Sequence, residues 1–396
     1  MPSSWVWTTV GEISQSILYG VSESAKLRGT YRLLRITDIQ DNTVNWNTVP
    51  FTDYDDEKAE AYLLKDGDIL FARTGATVGK SYLVNNLHEK AIYASYLIRV
   101  KTNHYVLPEF VKYFFESGFY WEQVLGNSVG IGQPNVNGTI LSNLELPFPP
   151  IMEQKRIVKE LGKWLSIIDK IEESKGQLQK NISWAKSKVL DLAIHGKLVP
   201  QDPTDEPATE LLKRINPNAE ITSDNGHYQK LPEGWCECSF DDIFNITMGQ
   251  SPNGCSINHQ QGIEFHQGKI LFGDKYLKQS DMFTDAPTKL ATPNSLLLCV
   301  RAPVGVVNIT QREICIGRGL CSLKPNAAIN LDYAYHALTT YQPDFESKST
   351  GSTFKAISGS IIRNEVFALP PLQEQHRIVA KIEEIFAQLD AIEASL

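Results

Sequence analysis

Two short segments carry residue types that could bind or cleave phosphate groups. Residues 74–81 read Thr-Gly-Ala-Thr-Val-Gly-Lys-Ser after an apolar run, and a lysine followed by a hydroxyl residue could hold a nucleotide phosphate. The first position is Thr where the phosphate-loop motif has Gly, and the matching segment after Pro303 has no lysine. The sequence therefore favours a turn here over a nucleotide site.

Residues 343–348, Pro-Asp-Phe-Glu-Ser-Lys, contain the acidic residues and the lysine that occur in a nuclease metal site. The two carboxylates are only two positions apart, whereas such a site draws them from separate strands, so we predict a solvated turn. Cys236-x-Cys238 has the wrong spacing for a zinc knuckle, and His259 and His266 do not complete one. An amino-methyltransferase tetrapeptide, Asn-Pro-Pro-aromatic, is also missing. These residues predict neither an enzyme nor a metal site.

A third group of side chains could recognise nucleic-acid bases. Arginine suits guanine in the major groove, and asparagine or glutamine suits adenine. Polar and basic residues of these types lie on Gly-rich loops at matched places in the two halves of the chain. Ordinary solvated turns would contain the same residue types, so both interpretations stay open. The candidates are Arg73, Thr74 and Lys80 with Arg301, and Gln133, Asn135 and Asn137 with Ser352, Thr353 and Lys355.

These candidates lie in a chain whose sequence contains a long internal repeat. Residues 149–158 read Pro-Pro-x-x-Glu-Gln-x-Arg-Ile-Val, and the same pattern recurs at 370–379, a shift of 221 positions. Further upstream the shift drifts, pairing Arg73 with Arg301 and Trp5 with Trp235, as loop insertions and deletions would cause. A period above 200 residues excludes short solenoid and propeller repeats, so each copy is the size of a domain.

A hydrophobic heptad pattern follows each copy of this motif. Apolar residues alternate at steps of four and three from position 157 to 192, and the same phase returns at 378. We predict a coiled-coil helix from about 151 to 195, ended by Gly196. The predicted interface residues are Ile157, Leu161, Trp164, Ile168, Ile171, Leu178 and Ile182 in the first helix, and Ile378, Ile382, Ile385, Leu389 and Ile392 in the second.

The two matched seams predict antiparallel contact between the helices. Ile168 and Ile171 would then pack against Ile382, Ile385 or Leu389. Lys175 interrupts the apolar seam and marks either a weak point or a device that fixes the register.

The rest of each copy reads as mixed α and β. Apolar runs at 68–72, 96–100, 295–300 and 320–323 predict strands, and one amphipathic helix per copy is predicted at 108–124 and 331–341. Residues 201–230 are rich in Pro, Asp, Asn and Thr and predict a linker, with a short helical patch at 208–215.

Composition indicates a cytoplasmic protein with two cores. The chain has 396 residues, 42% of them hydrophobic, with no signal peptide and no apolar run near the ~20 residues of a membrane span. All six cysteines lie in the second copy, so we expect reduced and mostly buried thiols. The net charge of −8 argues against a nucleic-acid partner, but residues 151–200 carry +4. Either local charge or a partner must supply DNA affinity, because phosphate neutralisation dominates it.

Residues 195–208, His-Gly-Lys-Leu-Val-Pro-Gln-Asp-Pro-Thr-Asp-Glu-Pro-Ala, follow the central helix. With the two Pro-Pro-x-x-Glu-Gln-x-Arg-Ile-Val motifs, they make the whole chain resemble the specificity subunit of type I restriction-modification systems. The resemblance implies an α+β fold, in which two mixed α/β target recognition domains in tandem are separated by an antiparallel two-helix coiled coil. It also implies that the domains recognise a split DNA sequence. Their loops differ, so the half-sites should differ.

The resemblance further implies partners and cofactors. Two modification subunits would methylate adenine with S-adenosylmethionine, and restriction subunits would use ATP and Mg²⁺. This chain would be non-catalytic and would bind double-stranded DNA, without a cofactor of its own and without contact to a membrane. The rival interpretation is a coiled-coil protein-protein scaffold, whose two ligand-binding domains never touch DNA.

These patterns divide the chain into five segments. The second helix stops at Leu396, aligned with Lys175, so residues 176–195 of the first helix have no counterpart. The predicted segments are target recognition domain 1 at 1–150, a central helix at 151–196, a linker at 197–234, target recognition domain 2 at 235–371 and a short distal helix at 372–396.

Overall fold

The computed structural model describes residues 1–74, 77–127, 136–219, 231–351 and 355–396. The chain forms two compact units, unit 1 at Met1–Glu172 and unit 2 at Glu173–Leu396, and the longest helix runs across this boundary.

Unit 1 begins with a strand-rich region, continues with short helices and ends in the long helix. Its strands are β1 (Val6–Thr9), β2 (Ser14–Tyr19), β3 (Tyr31–Leu34), β4 (Ile39–Gln40), β5 (Thr43–Val44), β6 (Phe51–Thr52), β7 (Ile69–Ala72), β8 (Ser81–Leu83), β9 (Ala91–Tyr93), β10 (Leu97–Thr102) and β11 (Glu145–Phe148). Its helices are α1 (Asp56–Ala59), α2 (Pro108–Phe114), α3 (Gly118–Asn127), α4 (Gly138–Ser142) and the start of α5 (Ile151–Ile194).

Unit 2 contains the end of α5 and repeats this order of elements. Its strands are β12 (Cys236–Ser239), β13 (Phe244–Met248), β14 (Ile257–Asn258), β15 (Ile263–His266), β16 (Phe283–Thr284), β17 (Leu290–Ala291), β18 (Ser295–Cys299), β19 (Val307–Thr310), β20 (Ile314–Ile316), β21 (Leu320–Pro325) and β22 (Val366–Leu369). Its further helices are α6 (Ala208–Ile215), α7 (Phe240–Ile243), α8 (Leu331–Thr340), α9 (Gln342–Lys348), α10 (Gly359–Arg363) and α11 (Leu372–Ala394).

The sheets show that the two copies of the sequence repeat have the same fold. The central antiparallel sheet has the order β2-β10-β7-β8 in unit 1 and β13-β21-β18-β19 in unit 2. The first strand of each domain pairs with the last, β1 with β11 and β12 with β22. A second sheet in each unit contains one parallel pair, β3 with β9 and β15 with β20. The expected fold class, two mixed domains in tandem, is confirmed.

The central strands are buried on both faces. Every residue of β7 and of β18 is buried, which explains why these strands read as continuous apolar runs instead of alternating ones. Helix α2 covers the sheet of unit 1 with Phe110, Val111 and Phe114, and α8 occupies the same place in unit 2. All four strands predicted from apolar runs are present.

The helical predictions need two corrections. The single helix expected at 108–124 is broken into α2 and α3, because the Ser117 hydroxyl accepts a hydrogen bond from the Tyr120 amide at 3.2 Å and caps a new helix. Residues 343–348 are part of helix α9 and not a solvated turn. Phe345 is fully buried in the core of unit 2, and this apolar contact holds the segment in a helix.

Helix α5 is observed at nearly the predicted bounds. Gly196 has φ of +62° at the position that follows the helix, a conformation that glycine adopts without steric cost. The Lys197 amide donates to the Leu192 carbonyl at 2.8 Å, as in a Schellman motif.

Within unit 2, α11 runs antiparallel to the second half of α5. The Lys175 ammonium donates to the backbone carbonyl of Leu396, near the end of α11. Farther along α5, the Lys186 ammonium lies 2.6 Å from Asp390 and 3.0 Å from Glu393. Residue numbers rise along α5 as they fall along α11, which confirms the predicted direction and gives Lys175 a role in setting the register.

The burial of the predicted interface follows this register. Ile168 and Ile171 are 48% and 61% exposed, so the expectation that they are buried against α11 is wrong. In the observed register, α11 lies beside the part of α5 that begins at Lys175. Of the predicted residues, Ile182, Ile378 and Ile382 are buried, Ile157, Ile385 and Leu389 are half-buried, and Leu161, Trp164, Leu178 and Ile392 are exposed.

The predicted linker contributes to the core of unit 2. Helix α6 is observed where the helical patch was expected, and its Ala208, Leu211 and Leu212 are buried in the main hydrophobic cluster of unit 2. Helix α6 therefore belongs to the folded unit 2, and the segment that contains it does more than connect the two domains.

Candidate nucleic-acid interface

In both units a residue just before the short helix α4 or α10 is hydrogen-bonded to the same end of the central sheet. The Val136 amide donates to the Arg73 carbonyl at 3.1 Å, just after β7. The Ile357 amide donates to the Val300 carbonyl at 3.0 Å, just after β18. Backbone hydrogen bonds thus place Val136, the neighbour of the candidate Asn137, beside Arg73, and Ile357 beside Val300, the neighbour of Arg301.

The same hydrogen bonds correct the predicted pairing of Arg73 with Arg301. The Arg73 amide donates to the Tyr96 carbonyl at 3.1 Å, and in unit 2 the Val300 amide donates to the Gly319 carbonyl at 3.0 Å. Arg73 is therefore equivalent to Val300, and Thr74 is equivalent to Arg301. Sequence matching aligned the arginines because the side chains are identical, but the register of the strands sets them one residue apart.

Arg73 is held within unit 1. Its guanidinium carbon lies 5.0 Å from the centre of the Tyr19 ring, a cation–π distance. One guanidinium nitrogen donates to the Ser95 carbonyl at 3.4 Å, while the buried Nε has no partner among the described residues. The Tyr19 hydroxyl in turn accepts from the Gly138 amide at 2.6 Å. Arg73 therefore helps to hold Tyr19 and, through it, Gly138 in position. It also contributes a positive charge at this end of the sheet.

Unit 2 carries an exposed basic patch at the equivalent place, formed by Arg301, Arg318 and Lys355. Arg301 forms a backbone bridge with Ala356, and the neighbouring Ala302 amide donates to the Lys355 carbonyl at 3.2 Å. Arg318 precedes Gly319, which is bonded to Val300. Three cations on adjacent turns form a surface that suits phosphate or guanine.

Sequence reasoning missed Arg318. The signal was an arginine between two glycines, Gly317-Arg318-Gly319, in the turn between β20 and β21. A Cβ atom on Gly319 would lie 2.3 Å from the Gln267 carbonyl oxygen, so only glycine fits there. The close approach of the backbone fixes the turn that presents Arg318.

Unit 1 has a cavity of about 800 Å³ at the corresponding place. Thr74 and Lys80, both predicted candidates, line it together with the exposed aromatic ring of Tyr96. Deeper inside, the Lys112 ammonium is buried and donates to Glu116 at 2.7 Å and to the Ser81 carbonyl at 2.8 Å. The cavity is thus lined by hydroxyl, ammonium and aromatic groups that could contact a base or a phosphate.

The remaining candidates divide into a helix cap and residues whose structure is not described. The Asn137 side chain accepts from the Ile140 amide at 2.8 Å and caps α4, as Ser358 caps α10 in unit 2. This cap occupies the side-chain oxygen, and the side-chain amide group has no partner among the described residues. Gln133, Asn135, Ser352 and Thr353 lie outside the described residues.

The described residues of segment 74–81 lack the helix that follows a nucleotide-binding phosphate loop. Such a loop ends in a helix whose N-terminus binds the phosphate, whereas this segment leads into strand β8. Over the described parts of the chain, no group of three or more His, Cys, Asp or Glu side chains could hold a metal ion. Nor does any helix there have the length and apolar character needed to cross a membrane.

A family model describes both halves of this architecture. The model for the type I restriction modification DNA specificity domain matches residues 3–180 and 232–396. The chain belongs to this family, and it is a specificity subunit of the type I restriction-modification class.

Relatives and solved structures agree over nearly the full chain. A specificity subunit named for the type I restriction enzyme MjaX of Methanocaldococcus jannaschii is 28% identical over 97% of this chain and 87% of its own length. The EcoKI specificity subunit of Escherichia coli K12 is 24% identical over 99% of this chain and 84% of its own length.

Two solved structures are similar in fold. A chain from work on complex assembly and conformational transition of the type I R-M system covers all of this chain and 93% of its own length. It has a TM-score of 0.73 and 24% identity. The HsdS subunit from Thermoanaerobacter tengcongensis covers all of this chain and 92% of its own length, with a TM-score of 0.59 and 23% identity.

Proposed function

We propose that the chain recognises a DNA sequence made of two separated half-sites, one contacted by each unit. The supporting observation is that equivalent turns of the two units carry different side chains. Thr74 in unit 1 corresponds to Arg301 in unit 2, and Arg73 corresponds to the buried Val300. Different side chains select different bases, so the target is asymmetric.

We further propose that catalysis belongs to partner subunits. The relatives are named as specificity subunits of type I restriction enzymes. In this proposal two modification subunits, one for each unit, bind S-adenosylmethionine and methylate the DNA. Restriction subunits bind ATP and Mg²⁺. The chain itself supplies no catalytic group and binds no cofactor.

The charge distribution supports a role for partners in DNA binding. The chain carries a net charge of −8, while the basic patch of unit 2 concentrates three cations on neighbouring turns. Neutralised phosphates provide most of the non-specific affinity for DNA, so the chain alone should bind weakly. Bound beside a basic partner, the same turns would select the sequence.

A domain exchange tests the proposal. Methylation mapping of host DNA, with and without the gene, first identifies the protected sequence. Replacing residues 1–150 with the equivalent region of a relative should then change one half-site and leave the other unchanged. A simultaneous change in both half-sites, or in neither, would contradict the assignment of one half-site to each unit.

Two further measurements separate this function from its alternatives. The purified chain should show no methyl transfer without a modification subunit, and robust transfer by the chain alone would contradict the non-catalytic role. Binding of the complex to DNA should weaken steeply as salt rises. A protein-protein scaffold that never touches DNA would show no such dependence.

A further inference from the structure

Three turns of unit 2 meet at the basic patch. The Gln250 amide donates to the Ile316 carbonyl at 3.0 Å, and the Gly317 amide donates to the His266 carbonyl at 2.7 Å. These backbone hydrogen bonds fix the turns that follow β13 and β15 to the turn that precedes β21. The three turns, together called the turn cluster of unit 2, are residues 249–251, 267–268 and 317–319.

Glycines let the backbones of the turn cluster approach one another closely. A Cβ atom on Gly249 would lie 2.2 Å from the Gly317 carbonyl oxygen. The same is true of Gly319, whose Cβ atom would lie 2.3 Å from the Gln267 carbonyl oxygen. A larger residue at either glycine would push the turns apart. The backbone packing therefore sets where the neighbouring side chains leave the surface.

Unit 1 repeats this arrangement of the backbone. The Val21 amide donates to the Tyr93 carbonyl at 2.8 Å, and the Ala94 amide donates to the Leu34 carbonyl at 2.9 Å. Gly20, the residue before Val21, makes the same close approach, since its Cβ atom would lie 2.3 Å from the Tyr93 carbonyl oxygen. The two units therefore share one backbone scaffold at this place.

The side chains on this shared scaffold differ. In unit 2 all three are exposed, and the side-chain amides of the two glutamines form no hydrogen bond with another described residue. In unit 1, Val21 is buried, and the Arg35 guanidinium donates to Asp38 at 2.7 and 3.0 Å. One backbone with different side chains allows two copies of a fold to select different bases. The matched hydrogen bonds make Gln250 equivalent to Val21, Gln267 to Arg35 and Arg318 to Ser95.

We propose that Gln250 and Gln267 contact base edges in the half-site of unit 2 and that each selects adenine. This inference rests on the proposed function and names residues that determine one half-site. A glutamine side chain donates to N7 of adenine and accepts from its amino group, a pair of hydrogen bonds that the other bases do not offer. Arg318, on the neighbouring turn, supplies the positive charge that holds the DNA against this surface.

The test measures base preference in the chain assembled with its modification subunit. The exchange of residues 1–150 first identifies the half-site that belongs to unit 2. Duplexes that carry each of the four base pairs at every position of this half-site are then compared by fluorescence anisotropy. Gln250→Ala and Gln267→Ala should each weaken the preference for adenine at one position by about tenfold. The other half-site and the salt dependence should stay unchanged, because no charge is removed.

A matched control and a change of specificity separate base contact from a structural role. Gln260 is an exposed glutamine that precedes β15, whereas Gln267 follows this strand, so Gln260→Ala should keep every base preference. Gln267→Glu should change the preferred base at one position from adenine to cytosine, because a carboxylate accepts from the cytosine amino group. A residue that only supports the fold would weaken binding to all sequences alike. Thermal unfolding checks that each variant is folded.

The outcomes distinguish this inference from the proposed function. A glutamine whose alanine variant keeps every base preference does not contact a base, and retention in both variants would overturn the inference while DNA recognition by the complex stands. A lost preference for a base other than adenine, or an equal loss in Gln260→Ala, would also overturn it. A wild-type complex that protects no split sequence would overturn the proposed function and this inference together.

Discussion

Gln154 and Gln375 make the same three hydrogen bonds in the two units. Each is fully buried, and each accepts from the amide of the residue before the covering helix, Leu107 at 2.9 Å and Asn330 at 2.7 Å. Each also donates to the first proline carbonyl of its own motif, at 2.9 and 3.0 Å. The third bond goes to the loop before that helix, at 3.4 Å to Tyr105 and 2.9 Å to Ala328. The repeated glutamine therefore fixes α5 to the first domain and α11 to the second.

Loss of this side chain should destabilise the unit that contains it. Gln154→Ala or Gln375→Ala leaves one amide and two carbonyls unsatisfied, and each substitution should cost about 1–3 kcal/mol of unfolding free energy. Scanning calorimetry would measure the loss. Lys155→Ala and Gln373→Ala, at exposed neighbouring positions, are the controls. Equal stability of the glutamine variants and the controls would show that the hydrogen bonds contribute nothing.

The basic patch of unit 2 should contribute to DNA affinity through its charge. Arg301→Ala, Arg318→Ala and Lys355→Ala should each weaken binding of the assembled complex. Where the residue contacts a phosphate, the slope of log affinity against log salt should fall by about one. A residue that contacts guanine should instead relax specificity at one base, at a cost of about 1–3 kcal/mol. Arg214→Ala, which removes a cation of α6 paired with Glu206, is the control.

Unchanged affinity, salt slope and specificity in all three variants would exclude the patch from the interface. A loss that is equally large in Arg214→Ala would indicate an effect of net charge alone.

The register of α11 on α5 predicts different effects at two isoleucines of one helix. Ile182→Asp places a charge at a buried position in the second half of α5 and should cost several kcal/mol. Ile171→Asp, at an exposed position of the same seam, should cost much less in the isolated chain. Urea unfolding would compare the two variants. Equal losses would mean that the assigned register is wrong.

His336 should make unit 2 less stable in acid. Burial, reinforced by nearby Lys275 and opposed by Asp332, lowers the pKa of His336 to about 4, and its ring packs edge-on against Phe386 at 5.9 Å. The unfolded chain binds a proton at this residue near pH 6.5, earlier than the folded chain, so stability falls as the pH drops from 6.5 towards 4. The loss should be about 3 kcal/mol at pH 4, because one pKa unit corresponds to about 1.4 kcal/mol.

His336→Phe should flatten the pH dependence between 6.5 and 4, as measured by thermal unfolding at a series of pH values. His259→Ala removes an exposed histidine of the same unit and should leave the dependence unchanged. If the wild-type and His336→Phe curves are parallel, another group is responsible.

Most of the fold was predictable because its signals are local. The heptads of α5, the glycine that ends it and the apolar central strands all depend on residues close together in sequence. The break between α2 and α3 was missed because a serine cap and a helix-compatible serine look alike in a sequence. Helix α9 was missed because burial of Phe345 depends on residues that are distant in the chain.

The candidate residues could be chosen from the sequence by type, but their contacts in the fold could not. The sequence placed the candidates at matched positions of the two copies, but the residue of unit 2 that is equivalent to Arg73 follows from backbone hydrogen bonds to residues 96 and 319, which sequence matching does not see. Asn137 was chosen for its amide, and its role as a helix cap emerges only from the distance to Ile140. Which of these residues contact bases stays a prediction.

The pairing of β1 with β11 and of β12 with β22 constrains synthesis on the ribosome. Val6 cannot meet Phe148 until that residue has left the exit tunnel, so each domain keeps its first strand unpaired while the rest is made. At ordinary translation rates of about 5–20 residues per second, this interval lasts roughly ten seconds or more. During it the unpaired strand edge is open to mispairing with a neighbouring nascent chain.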